Sequence, residues 1–173
     1  MKKLLSDFSH YLLALLLAAP LVAAAAAQVH VNPADLEADG YALEMPPGVP
    51  MGAAYVALRN LSDDARILAR VELPSHPEGK VEMHTTRQLD GVSQMRALKK
   101  IALPARGSIE MRPGATHLMV HGVALKAGDS LPLRLVFADG SVREMQLPVY
   151  SRERQKENSN HDAGHHHGHH DHG

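Results

Sequence analysis

The chain of 173 residues contains no cysteine. Disulfides, a thiol nucleophile, a CxxC redox pair and a thiolate metal site are therefore excluded, and any soft metal ligand has to be methionine. Tryptophan is absent and phenylalanine occurs twice. Leu, Val, Ile and Ala must fill the core of the single compact domain that this length allows. The formal charge is −1, which gives no reason to expect nucleic acid or an anionic membrane surface as a partner. Beyond the N-terminal stretch nothing is apolar enough to span a bilayer, so membrane contact is expected only through a partner.

The N-terminal stretch is a different kind of segment. Lys2 and Lys3 precede "YLLALLLAAPLVAAAAA", a run that closes on small residues in the manner of a secretory signal peptide. As a membrane-spanning helix the run is weak, because Pro20 interrupts it and alanine dominates its end. Residues 1–27 are read as a cleaved signal peptide. No cysteine follows them to carry a lipid, so the mature protein is expected free in the periplasm.

Residues 28–150 read as short strands between turns. "AAYVALRN" alternates Ala54, Val56 and Leu58, and "ARILARVELP" places Ile67, Ala69, Val71 and Leu73 at period two. "LPLRLVF" alternates Leu131, Leu133, Leu135 and Phe137, and "VREMQLPV" does so with Met145, Leu147 and Val149. Turn signals separate them at Pro46-Pro47-Gly48, Asp90-Gly91, Pro113-Gly114, Ala127-Gly128-Asp129 and Asp139-Gly140. The pattern predicts an all-β domain, an antiparallel sandwich or barrel.

The polar residues of two of these strands share a chemistry. In "THLMVHG", His117, Met119 and His121 occupy alternate positions and so face one side, with Leu118 and Val120 on the other. "VEMHTTRQLDGVSQMRAL" predicts a hairpin turning at Asp90-Gly91. With a loop of two residues, His84 pairs with Ala97 and Thr86 with Met95, making His84 and Met95 diagonal neighbours on one face, about 7 to 8 Å apart at the backbone. A four-residue loop centred on the same pair keeps that parity, whereas a loop of three residues would put them on opposite faces. Two imidazoles and two thioethers suit Cu(I), whereas zinc would ask for thiolate, carboxylate or further histidine. Met83, Met111 and Met145 fall on core-facing positions; Met45 and Met51 flank the Pro-Gly turn and stay open as neighbours of the site; His30 and His76 belong to loops and are expected to be solvated.

The spacing His84, ten residues, Met95, twenty-one residues, His117, one residue, Met119 resembles the signature of the PCu(A)C periplasmic copper chaperones. The flanks "AAYVALRN", "VEMH", "MRPGATHLMVHG" and "GDSLPLRLVF" are similar as well, so the resemblance runs over roughly residues 40 to 150. It implies a cupredoxin-like β-sandwich that holds one Cu(I) through His84, Met95, His117 and Met119. It further implies delivery toward the CuA centre of cytochrome c oxidase, with the CuA domain or copper-assembly proteins of the oxidase as partners. His121 departs from the expected apolar residue, and stays open as an accessory ligand or a solvated side chain.

After Tyr150 the composition changes. Residues 151–173 begin with the polar "SRERQKENSN" and end in "HDAGHHHGHHDHG", which holds seven of the 13 histidines. Such a tail has nothing to bury and is expected to be disordered without ligand. His161, His165, His166, His167, His169, His170 and His172, with Asp162 and Asp171, offer nitrogen and oxygen donors that favour Cu(II), Ni(II) or Zn(II). Gly164, Gly168 and the two aspartates interrupt the run, unlike an affinity tag. The competing reading is a periplasmic metal buffer for copper, zinc or nickel acting mainly through this tail. An enzyme is not expected, since a blue-copper site wants cysteine and no Ser/His/Asp or paired-carboxylate arrangement stands out.

Overall fold

The computed structural model describes residue 32 and residues 35–155. The readings for residues 1–27 and for the tail histidines lie outside that range. Ten strands carry the chain: β1 Leu36–Leu43, β2 Met51–Asn60, β3 Arg66–Glu72, β4 Lys80–Leu89, β5 Val92–Leu98, β6 Ile101–Leu103, β7 Ser108–Glu110, β8 Thr116–His121, β9 Ser130–Phe137 and β10 Val142–Tyr150. A single helical turn follows at residues 152–155.

The strands make the expected cupredoxin-like β-sandwich. One layer runs β5-β4-β8-β2-β1, with β7 paired to β2, and the other runs β10-β9-β3-β6. Between them lies one apolar cluster, including Leu36, Val56, Leu58, Leu118, Val120, Leu133, Leu135, Phe137 and Leu147. Ala54, Val56 and Leu58, the alternating set of β2, point into it, as do Leu131, Leu133, Leu135 and Phe137 of β9. Met83 and Met111 are buried in it and Met145 packs against its edge.

Two features depart from the local patterning. The layers are joined by a parallel pairing of the first and last strands, Ala42 with Val149 and Leu43 with Tyr150, in an otherwise antiparallel sheet. In β3, Ile67 is 37% exposed while Leu68 is fully buried, so Ile67 and Ala69 do not share a core face with Val71 and Leu73. A β-bulge between Leu68 and Arg70 against β9 inserts the extra residue that reverses the alternation.

Candidate metal centre

The outer face of the layer containing β4, β5, β8 and β2 carries the candidate donors. Asp90 and Gly91 have φ of 51° and 78°, the left-handed pair that a two-residue type I′ hairpin turn requires. Leu89 accordingly pairs with Val92, Thr86 with Met95 and His84 with Ala97. His84 and Met95 thus share a face, on the register expected for the two-residue loop.

β8 lies on the other side of β4. Its inner residues Leu118 and Val120 are fully buried, which commits His117, Met119 and His121 to the outer face. The β4–β8 register sets His84 directly opposite His117, Glu82 opposite Met119 and Lys80 opposite His121. The imidazoles of His84 and His117 lie nearly parallel, 27° apart, with centroids separated by 6.0 Å. Two imidazoles holding one ion through bonds of about 2 Å have centroids no more than about 6.5 Å apart, so this separation fits a shared ion.

Hydrogen bonding leaves both rings with nitrogen to spare. His117, only 8% exposed, donates Nδ1–H to the carbonyl of Ala115 at 3.0 Å. A carbonyl only accepts, so Nε2 keeps its lone pair. His84 Nδ1 is buried and has no hydrogen-bond partner, an arrangement that costs stability unless something else engages the ring. Among the described residues no three His, Asp or Glu side chains converge as a metal-binding group. The other soft donors on this face are thioether sulfurs.

The two thioethers share a pocket with His117, whereas His84 is placed next to them by strand register and does not line that pocket. Met119 is half-buried, whereas Met95 on the edge strand is 54% exposed. A shallow pocket of about 310 Å³ brings Met95, His117 and Met119 together with Met51, Ala53, Tyr55, Thr86 and Arg152. His121 shares the face, but its Nε2 is 3.1 Å from Glu82 Oε2. Burial raises the pKa of Tyr55, with Arg152 opposing, so this wall of the pocket is a neutral phenol. Tyr55 also packs against Tyr41, which stacks on Tyr150.

Met51, Tyr55 and Arg152 had no assigned place at the site from sequence. Parity along β2 would have put Met51 and Tyr55 on the face opposite Ala54 and Val56, but no local signal points to Arg152. It reaches the pocket because β10 ends there, its amide donating to Glu44 Oε1 at 3.2 Å. Met45 lies on the inner side, packed over Gly52, and His76 is half-buried in the loop after β3.

Comparison with known proteins gives a family and a set of structural neighbours. The family described as "Putative lipoprotein LpqE-like" matches residues 23–149. A protein of Leifsonia xyli subsp. xyli described as a putative lipoprotein is 28% identical over 114 residues, which make up 64% of this chain and 68% of that protein. Among solved structures, the copper-bound PCuAC domain from PmoF2 superposes with a TM-score of 0.55 at 17% identity, covering 68% of this chain and 93% of that domain. Apo-DR1885 from Deinococcus radiodurans gives 0.53 at 23% identity over 78% and 91% of the two chains. Its Cu(I) form gives 0.51 at 24% identity over 76% and 84%. At these identities the likeness is one of fold.

Proposed function

The chain belongs to the LpqE-like family, and from that membership and the donor geometry we propose that it is an exported copper chaperone carrying Cu(I) on His84, Met95, His117 and Met119. The observation that carries this reading is the register pairing of His84 with His117, two rings with uncommitted nitrogen, on a face that otherwise supplies thioethers. Imidazole and thioether together select Cu(I) over the harder divalent ions. The superposing proteins include a copper-bound PCuAC domain and CuI-DR1885, which supports the same cargo.

The arrangement favours release as well as capture. Four neutral donors leave the ion its full positive charge, with no thiolate to hold it. Met95 on the exposed edge strand is the donor an acceptor's ligand displaces first, and buried His117 the last. Delivery toward the CuA centre of cytochrome c oxidase, directly or through copper-assembly proteins, follows from the resemblance of the donor spacing. The lipoprotein descriptions of the family and of the Leifsonia protein support export and a periplasmic or cell-envelope location. The lipid itself is not carried over, because none of the 173 residues is a cysteine.

The histidine-rich tail extends the same function. Its nitrogen and oxygen donors hold Cu(II) close to the body, raising the local copper concentration there. Passage to the Cu(I) site takes one electron from a reductant outside the chain. The test is an anaerobic Cu(I) competition titration with a chromogenic chelator on the full chain, on a chain ending at residue 155, and on Met95→Ala/Met119→Ala. One tight equivalent that survives truncation and weakens sharply in the double variant supports the chaperone. Tight binding that disappears with the tail would make the protein a histidine-based metal buffer instead.

A further inference from the structure

The outer face of β8 continues past the four donors. His121 is in register with Lys80 on β4 and with Met51 on β2. Directly opposed residues on one face have Cβ atoms about 4.5–5.5 Å apart, so the Met51 side chain stands next to the imidazole. Met119 is the diagonal neighbour of Met51 on that face, opposite Ala53. The small side chain of Ala53 leaves the floor between Met51 and Tyr55 open. Met51 lines the same pocket as Met95, His117 and Met119 and is 37% exposed.

The hydrogen bond of His121 is the second observation. Glu82 Oε1 is paired with Lys80 Nζ at 2.9 Å, which turns its other oxygen, Oε2, to His121. A carboxylate oxygen accepts, so Nε2–H of His121 donates to Glu82 Oε2 at 3.1 Å, and Nδ1 is the ring nitrogen outside that contact. A carboxylate behind an imidazole is how proteins orient and strengthen a metal-ligating histidine. The in-register neighbour of His121, moreover, is a thioether where any apolar residue would serve as cover.

We propose that Met51, His121 and Met119 form a second, weaker Cu(I) position that shares Met119 with the first. Copper moves between the two by exchanging donors one at a time, with Met119 bound throughout. No bond to carbon forms or breaks and the ion stays Cu(I), so the step needs no redox partner. The inference rests on Cu(I) carriage by the four-donor site and adds an exit from it, toward the Met51 end of β2. Glu82 next to this position offsets the positive charge that the neutral first site leaves uncompensated.

The experiment is an anaerobic Cu(I) titration of the full chain with methyl-¹³C methionine, followed by NMR. The tail contains no methionine, so copper bound there is silent. Met51→Leu, Met95→Leu and Met119→Leu assign the signals. The Met95 and Met119 methyls should move first and Met51 in a separate, later step. His121→Gln should raise the copper needed for the Met51 step by about tenfold or more, leaving the first step and the urea midpoint of the apoprotein unchanged. A Met51 methyl that never moves, that moves together with Met95, or whose step ignores His121→Gln would each overturn the second position. If Met95 and Met119 themselves stay fixed, the chaperone reading fails, and the second position fails with it.

Discussion

Replacing His84 with Phe should stabilise the copper-free protein while weakening its grip on copper. His84 Nδ1 is buried without a partner, and an unsatisfied buried polar atom costs about 1–3 kcal/mol. Phenylalanine keeps a ring beside His117, where the centroids are now 6.0 Å apart, and removes the orphan nitrogen. Allowing up to about 1 kcal/mol for imperfect fit of the larger ring, the apoprotein gains about 1 kcal/mol. For a domain of this size that raises the melting temperature by about 3–6 °C. Copper reverses the order, because free Cu(I) at a hundredfold over the dissociation constant stabilises the native protein by about 2.7 kcal/mol. Most of this is lost when an imidazole donor is missing. Anaerobic thermal melts of both proteins at pH 8, with and without Cu(I), test both halves. An apo variant less stable than the parent by more than about 1 kcal/mol would show that Nδ1 is paired in solution. Equal copper-induced shifts would show that His84 is no donor.

Three further expectations separate the fold from the site. Met95→Leu, on an exposed edge strand, should leave the urea midpoint of the apoprotein within about 0.5 kcal/mol of the parent. Chelator competition should show it weakening Cu(I) binding by about tenfold or more, roughly 1.4 kcal/mol. Asn60→Ala should do the reverse: the fully buried amide donates to the carbonyls of Asp64 and Pro104 and accepts from Ser62, so its loss costs about 2–4 kcal/mol with copper affinity unchanged. Asp139→Asn tests acid sensitivity. The hydroxyl of Ser141 foremost, with its amide and Arg66, holds the Asp139 carboxyl below its ordinary value against a partial burial penalty. That stabilisation is fully present above the unfolded carboxyl pKa of about 3.9 and is lost as pH falls through the lower folded value. The parent's advantage in urea midpoint, under about 1 kcal/mol for so exposed a pair, should be constant above about pH 5 and vanish toward pH 2. A difference that persists in acid would assign it to something other than ionisation.

Much of the candidate site was legible because it is built from local geometry. The Asp90-Gly91 turn dictates the β4–β5 register, and strict alternation around Leu118 and Val120 puts His117, Met119 and His121 on one face. The β4–β8 pairing that brings His84 to His117 joins segments about thirty residues apart and is not written in either strand alone. In β3, "RILARVEL" offers two overlapping alternations, and only the neighbouring strand decides that a bulge exposes Ile67 and buries Leu68. β1 was invisible for another reason: "LEADGYAL" breaks its apolar pattern with Glu37, Asp39 and Gly40, although it pairs along its length with the next strand, β2. Three-residue strands such as β6 and β7 are too short to show any period.

The parallel pairing of β1 with β10 gives the domain two poles. The chain enters the sandwich at Leu36, beside Asn60, and leaves it at Tyr150, beside Leu43. At a rise of about 3.4 Å per residue, entry and exit lie roughly 24 Å apart along the sheet. Arg152, just past the exit, already lines the pocket of Met95, His117 and Met119. The entry at Leu36 and the face that carries Met51, Met119 and His121 therefore lie at opposite ends of the sheet. Residues 151–155 leave the sandwich at the second of these ends, the one that carries the donor face.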